Sequence, residues 1–248
     1  MSIELQNVEK TFRDGRRQVP VLRGLSLTVR PGAKLAILGP PGSGKSTTVG
    51  LIASTVSCDS GKVLRGLRTS WVIPGYLFFS HYGTGVANVR FVARFFGMEE
   101  EKYLRKVMEM SELGGRINDK LDRLPSLPRG QLAFMMGLCL DTDVFLFDDS
   151  IGLGSPAFRQ KCSDAIQALI GRGKAVVIAT STASIVAPFC DEAYVIDDGR
   201  AVHYRELTQG ITHLERLVKQ ANEYEPAARA SPAPERVELN GDLPPDMI

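Results

Sequence analysis

The sequence is poor in the residues that build disulfides, zinc sites and membrane spans. Its 248 residues include only four cysteines and three histidines, and no two cysteines form a C-x-x-C pair. This spacing argues against a zinc site and favours the reduced, buried thiols of a cytosolic protein. The longest apolar runs, near Trp71–Phe79 and Leu132–Leu140, are too short to cross a bilayer. We therefore predict no membrane span, so a role at a membrane requires a partner chain.

The chain also lacks a strong charge of either sign. Thirty basic and 28 acidic residues leave a net charge of +2, and we predict no nucleic-acid partner on that basis. The charges are unevenly placed, because residues 221–248 carry a net −4 and residues 1–220 carry +6. Residues 221–248 also hold five of the 14 prolines. We predict one domain over residues 1–220, followed by a disordered acidic tail.

Short apolar runs alternate with helical stretches, which is typical of an α/β protein. Half-buried antiparallel strands are predicted at Ile3–Val8 and Leu22–Val29, with a turn at Arg13–Arg17 between them. Residues 86–140 show helical spacing, and we predict a helical insert over about residues 76–140. Buried parallel strands are predicted at Lys34–Leu38, Asp143–Phe147, Ala175–Ala179 and Ala193–Ile196.

One motif predicts a ligand, because residues 39–47 match the phosphate-binding loop G-x-x-x-x-G-K-[ST]. Glycines let such a loop turn tightly, so that its N–H groups point at phosphate oxygens. Lys45 adds a positive charge for the β and γ phosphates, and the Ser46 hydroxyl can bind Mg²⁺. The loop consists of Gly39, Pro40, Pro41, Gly42, Ser43, Gly44, Lys45, Ser46 and Thr47.

The surroundings of this loop strengthen the prediction. It follows the strand Lys34–Leu38 and precedes a predicted helix at Thr47–Ala53, which is the strand–loop–helix setting that the motif requires.

A second strand, Asp143–Phe147, is followed by two carboxylates, Asp148 and Asp149. Asp148 is predicted to hold Mg²⁺ and Asp149 to face the attacking water. The alternative is a buried strand that ends in an acidic turn. The predicted ligands are ATP and Mg²⁺.

With these motifs the sequence resembles the ATP-binding subunit of an ABC transporter over residues 1 to about 220. The resemblance includes Ile3–Phe12, Val21–Val29, Cys58–Val63 and Ile196–Arg200 in addition to the phosphate loop. It implies a P-loop NTPase core of mostly parallel sheet, with an antiparallel β subdomain and a helical insert. Four further segments are similar to the capsule and polysaccharide export branch: Trp71, Asn88–Gly97, Phe158–Cys162 and Phe189–Asp191.

The resemblance also implies partners and a location. Such proteins hydrolyse ATP between two subunits arranged head to tail, as a homodimer or a heterodimer. They bind a polytopic membrane permease, at the cytoplasmic face of the inner membrane, as peripheral proteins. The family stacks an aromatic ring on adenine, and Phe12 occupies that position where tyrosine is usual. The alternative for Phe12 is the end of a core strand.

Four other family elements depart from the expected pattern. The L-S-G-G-Q signature is replaced by Leu124–Pro128, or in the other possible register by Leu127–Gln131. Ser80 occupies the region of the expected glutamine, and Thr180–Thr182 lies where a histidine is expected. Asp149 replaces a glutamate and is shorter by one methylene, about 1.5 Å of reach. Together these departures predict weakened or absent hydrolysis.

Two other function classes remain open at this stage. A soluble P-loop regulator or scaffold would bind nucleotide without powering transport, and a P-loop kinase would need an acceptor site that the sequence does not provide. A transporter subunit would couple through the helical insert, residues 76–115. Its phenylalanines are Phe78, Phe79, Phe91, Phe95 and Phe96, and core packing is the expectation for most of them. The run Tyr76–Phe79 is the predicted exposed patch.

Overall fold

The chain folds into two β-sheets with helices packed around them. This computed structural model describes residues 1–15, 17–73, 80–152 and 154–224. The strands are β1 (Ile3–Asp14), β2 (Arg17–Val29), β3 (Lys34–Leu38), β4 (Ser60–Arg65), β5 (Thr69–Ile73), β6 (Val144–Phe147), β7 (Ala175–Thr180), β8 (Glu192–Asp197) and β9 (Arg200–Tyr204). The helices are α1 (Lys45–Ile52), α2 (Gly85–Phe95), α3 (Glu100–Ser111), α4 (Ser126–Leu138), α5 (Pro156–Gly171), α6 (Ala183–Val186) and α7 (Leu207–Tyr224).

The larger sheet has the order β5-β6-β7-β3-β8-β9. Its strands pair in parallel from β5 to β8, and β9 is antiparallel to β8. The carboxyl ends of β3, β6 and β7 therefore meet at one edge. Parallel sheets of this kind bind ligands outside the carboxyl ends of their strands.

Alternating side chains of the larger sheet divide the interior into two cores. Phe145 and Phe147 of β6 belong to the core that includes the helices α2 to α5. Val144 and Leu146 of the same strand belong to the core shared with β1, β2 and α1. This alternation explains the nearly continuous apolar runs in the sequence, because both faces of the strands are covered. The predicted α/β class is confirmed.

The smaller sheet is antiparallel, with the order β2-β1-β4. Its first two strands are longer than the alternation predicts, and Asp14 pairs with Arg17. The predicted turn at Arg13–Arg17 is therefore too wide. Gly15 has φ +57°, a left-handed conformation that permits so tight a reversal.

The predicted helical insert appears as α2, α3 and α4 between β5 and β6. Core packing is wrong for two of its phenylalanines, because Phe91 and Phe95 are 46% and 61% exposed. Phe96 is half-buried, and its ring centroid lies 5.6 Å from that of Trp71. The run Tyr76–Phe79, which contains Phe78 and Phe79, lies outside the described residues.

The described cysteines are free thiols, and three of them, Cys139, Cys162 and Cys190, are buried. Burial raises the pKa of Cys139 to about 11, so the thiol stays protonated at neutral pH. None of the described helices is both long and apolar enough to cross a bilayer. The predicted tail starts too early, because residues 221–224 belong to α7, and from residue 225 onward it lies outside the described residues.

Candidate functional site

The phosphate loop joins the end of β3 to the start of α1. Gly42 and Gly44 have φ angles of +79° and +101°, which residues with a side chain rarely adopt. A Cβ at Gly44 would lie 2.8 Å from Leu22 Cδ2, and one at Gly39 would lie 2.9 Å from the Ile196 carbonyl oxygen. The loop is thus fixed between β2 and β8 at positions where only glycine fits. The helix starts at Lys45, slightly before the predicted Thr47.

Two polar side chains of this loop, those of Lys45 and Ser43, are partly buried. Lys45 Nζ donates to the carbonyl oxygens of Gly39 at 2.8 Å and Pro40 at 2.9 Å. Ser43 Oγ is buried and makes no hydrogen bond to any described residue. Burial lowers the pKa of Lys45, and the charge of Asp149 opposes this shift. A cation held by loop carbonyls and an unsatisfied buried hydroxyl fit a phosphate group.

The two predicted carboxylates lie at the same edge of the sheet. They follow β6, whose Phe147 pairs with Ile178 of β7, while Leu38 of β3 pairs with Thr180. This register brings Asp149 beside Thr180, whose hydroxyl donates to Asp149 Oδ1. Thr182 N donates in turn to Thr180 Oγ1 at 2.9 Å. The Asp149 carboxylate is therefore anchored to the end of β7.

Ser46 and Asp148 remain the predicted magnesium ligands. Ser46 is exposed in the first turn of α1, and Asp148 is half-buried immediately after β6. Among the described residues, no group of three or more histidine, cysteine or acidic side chains is arranged to hold a metal ion. A hydroxyl and one carboxylate, completed by phosphate and water, form the donor set that Mg²⁺ accepts.

Phe12 lies near the end of β1 in the smaller sheet and is 42% exposed, so its ring is not packed in the core. Lys10, two residues before Phe12 on β1, pairs with Leu22 of β2, whose Cδ2 lies 2.8 Å from the position of a Cβ at Gly44. Directly opposed residues, and residues two apart on a strand, share one face of a sheet. The exposed ring therefore stands on the face that leads to the phosphate loop.

The segment that replaces the signature forms the start of α4. Pro125 is the N-cap, and Ser126 is the first helical residue. Leu127 is 49% exposed, so its side chain projects from the first turn of the helix. Pro128 has no N–H, and Arg129 N is already bonded to the Pro125 carbonyl oxygen at 3.1 Å. Few backbone donors remain at this helix end.

Ser80, at the position of the expected glutamine, is held by the buried Asn88 of α2. Ser80 N donates to Asn88 Oδ1 at 2.7 Å, and Asn88 Nδ2 donates to the Ser80 carbonyl oxygen at 3.1 Å. The Asn88 amide therefore replaces a strand partner for this backbone. It fixes the position at which the insert leaves the core.

Sequence reasoning missed two groups near the site. One is the Thr180 hydroxyl, which the sequence analysis named only as part of the segment without a histidine. A polar residue at the end of a buried strand is a signal that could have indicated it. The other is the pair Lys10 and Asp59, joined by a 2.8 Å salt bridge beside the Phe12 ring. These two residues are far apart in the sequence, and no local pattern joins them.

Comparison with known proteins agrees with this geometry. Residues 22–151 match the family model described as ABC transporter. The chain is 27% identical to the ATP-binding protein BexA of Haemophilus influenzae, over 83% of this chain and 94% of that protein. It is 26% identical to the capsule polysaccharide export ATP-binding protein CtrD of Neisseria meningitidis, over 87% of this chain and 99% of that protein. It is 28% identical to the polysialic acid transport ATP-binding protein KpsT of Escherichia coli, over 84% of this chain and 96% of that protein.

Solved structures share the fold. The dimeric ATP-binding cassette MJ0796, bound to ADP and phosphate, superposes with a TM-score of 0.71 at 22% identity, over 83% of this chain and 98% of that chain. The ATP-binding subunit of another ABC transporter gives a TM-score of 0.73 at 17% identity, over 87% of this chain and 100% of that chain. The family model covers more than half of the chain, and the fold and phosphate loop agree with it. The chain belongs to the ABC transporter family, as an ATP-binding subunit.

Proposed function

We propose that this subunit serves an exporter of capsular or other surface polysaccharide, and that it binds ATP with little or no hydrolysis of its own. The export role is supported by the three relatives, whose names describe ATP-binding, capsule export and polysialic acid transport. It is also supported by coverage, because the match extends over nearly the whole length of each relative. The partners would be a polytopic membrane permease and a second ATP-binding subunit. The site of action would be the cytoplasmic face of the inner membrane.

The phosphate loop carries the binding half of this proposal. The amides from Gly42 to Ser46, at the positive end of α1, would donate to phosphate oxygens. Lys45 would exchange its two carbonyl acceptors for a β or γ phosphate oxygen, and Ser43 Oγ would gain a partner. Ser46 and Asp148 would hold Mg²⁺, which neutralises phosphate charge when bound. The exposed face of Phe12 would stack on adenine.

The weak-hydrolysis half is supported by the start of α4 and by the end of β7. In a head-to-tail dimer the start of α4 would approach the partner's γ-phosphate. Pro128 offers no N–H there, and Leu127 projects a side chain where glycine would leave the backbone open. Each positioned donor to a developing charge is worth about 10²–10³ in turnover. The loss of such donors predicts slow phosphoryl transfer.

Asp149 adds to this effect. Its carboxylate is bound by the Thr180 hydroxyl, and Thr180 lies in the segment where the family places a histidine. This hydrogen bond occupies Asp149 Oδ1 and holds the side chain against β7. The aspartate is also shorter than the usual glutamate. Both features would reduce its ability to polarise an attacking water.

The permease surface is proposed on α2 of the helical insert. Phe91 and Phe95 are exposed on this helix, with ring centroids 6.5 Å apart. Exposed aromatic pairs are unusual on a soluble surface and are typical of protein interfaces. A permease segment with apolar side chains would bury both rings.

We expect the full chain to co-purify with a polytopic membrane protein from detergent-solubilised cells. The double variant Phe91→Ser with Phe95→Ser should lose most of that partner while still binding ATP. Leu64→Ser removes an equally exposed apolar residue, 49% exposed, from the smaller sheet and is the matched control. A chain that is recovered without any membrane protein would instead be a soluble regulator. Partner recovery by quantitative mass spectrometry decides between the two.

A further inference from the structure

The ring of Phe12 is in contact with a charged side chain on one face. Lys10, two residues earlier on β1, places Nζ 5.4 Å from the centroid of the Phe12 ring. The side chain of Lys10 is only 14% exposed, whereas the ring itself is 42% exposed. One face of the ring is thus covered by the lysine, and the remaining exposure belongs to the rest of the ring.

Asp59 holds this lysine in place. Asp59 Oδ1 accepts from Lys10 Nζ at 2.8 Å, and Asp59 Oδ2 accepts from the Thr11 backbone N–H at 2.7 Å. The Asp59 N–H donates to the Glu9 carbonyl oxygen at 2.9 Å. One residue therefore binds three consecutive residues of β1, immediately before Phe12.

The position of Asp59 in the sheet explains this arrangement. Strand β4 begins at Ser60, which pairs with Glu9, so Asp59 lies just beyond the end of the ladder. Beyond this end of β4, the Thr11 N–H of β1 has no strand partner on that side and needs a substitute acceptor. The Asp59 carboxylate supplies it and directs the lysine toward the ring.

We propose that Lys10, anchored by Asp59, is a positioning residue for the adenine base, acting through the Phe12 ring. The cation occupies one face of the ring and restricts its rotation, which leaves the opposite face for the base. A cation also draws π-electron density toward itself, so the opposite face becomes less negative and stacks better on an electron-rich purine. This inference rests on the proposed stacking of Phe12 on adenine.

A purely structural salt bridge would behave differently. A lone exposed pair contributes little to stability, and its loss would not distinguish one ligand from another. The hydrogen bond from Lys10 is the main cause that lowers the pKa of Asp59, with the Thr11 N–H next. The carboxylate is therefore charged at neutral pH.

The experiment compares two ligands, ATP and inorganic tripolyphosphate, each with Mg²⁺, by calorimetry on the full chain. Tripolyphosphate reaches the phosphate loop but has no base. Lys10→Met keeps the aliphatic stem and removes the charge, and Asp59→Asn keeps the shape and removes the anchor. Each should weaken ATP binding about threefold and leave tripolyphosphate binding unchanged. Lys62→Met, on β4 of the same sheet, is the matched control for loss of one positive charge.

Phe12→Ala should weaken ATP binding about tenfold, also without affecting tripolyphosphate. In that background Lys10→Met should have no further effect on ATP, because its action passes through the ring. Equal losses for ATP and tripolyphosphate would show a general charge effect and overturn the inference. It is also overturned if Phe12→Ala weakens ATP binding while Lys10→Met does not. If Phe12→Ala has no effect, the proposed stacking itself is wrong.

Discussion

Replacing Lys45 by alanine is expected to weaken binding of Mg-ATP to the isolated chain by about tenfold or more, because it removes a charge-assisted contact worth roughly 1.5–3 kcal/mol. Lys45 Nζ donates to the Gly39 and Pro40 carbonyl oxygens. We expect a phosphate oxygen to replace these acceptors. Calorimetric titration with ATP measures the change directly.

The matched control is Lys34→Ala. Lys34 begins β3, the strand that leads to the phosphate loop, but forms a salt bridge with Asp191 at the opposite end of the sheet. ATP affinity should be unchanged in this variant. Equal affinity in Lys45→Ala and the wild type, or no heat from the wild type, would show that the loop is not the ATP site.

The environment of Lys45 gives this binding a pH dependence with a definite sign. Burial lowers the pKa of Lys45 in the free protein, and a phosphate anion beside it would raise that pKa again. Binding at alkaline pH should therefore take up protons. ATP affinity should fall as the pH rises through the lowered pKa of the free protein. Lys45→Ala should lose this dependence.

Hydrolysis by the purified chain is expected to be at or near background. Ordinary enzymes turn over on the order of 1–10 times per second. The loss of one hydrogen-bond donor to the developing charge lowers turnover by about 10²–10³. At the start of α4, Pro128 has no N–H to donate, and Leu127 carries a side chain where the family has glycine. Release of phosphate, measured under saturating ATP, tests this expectation.

A turnover in the ordinary range would contradict the prediction. In that event Asp149 would be the leading candidate to polarise the water, and Asp149→Asn should abolish the rate. This variant keeps the shape of the side chain and its contact with Thr180, so loss of activity would report on the charge. A background rate that Asp149→Asn leaves unchanged agrees with the account.

The local geometry of the phosphate loop follows from the sequence. The glycines at 42 and 44, Lys45 and the strand before them lie in the predicted arrangement because their roles are local. A phosphate loop is defined by short-range backbone geometry that the sequence specifies directly. Asp148 and Asp149 directly follow the four buried residues of β6, so they lie at its carboxyl end.

The rest of the site depends on long-range contacts. Lys10 and Asp59 meet only because β4 pairs with β1 and ends at Ser60. Asp149 and Thr180 meet because β6 and β7 are neighbours in the sheet. Strand order is set by the packing of the whole domain and has no local signal in the sequence.

The exposure of two phenylalanines on α2, Phe91 and Phe95, was not predicted from the sequence, for a physical reason. On α2, Phe91 and Phe95 lie four residues apart and so share one helix face, while Val89, Val92 and Ala93 fill the buried face. Aromatic residues at helical spacing usually pack inward. Here the buried face was already occupied by smaller residues, and the aromatic face remains exposed.

The central claim, that this subunit binds ATP but leaves hydrolysis largely to another chain, is tested most directly on the reconstituted transporter. The measurement is the ATPase rate of the complex with Lys45→Ala in this chain, compared with the equivalent lysine change in a second ATP-binding subunit. The account predicts that the change in the partner abolishes most of the rate and that Lys45→Ala removes only a minor part. A complex with two copies of this chain as its only ATP-binding subunits should hydrolyse ATP near background. Brisk hydrolysis by such a complex would contradict the account.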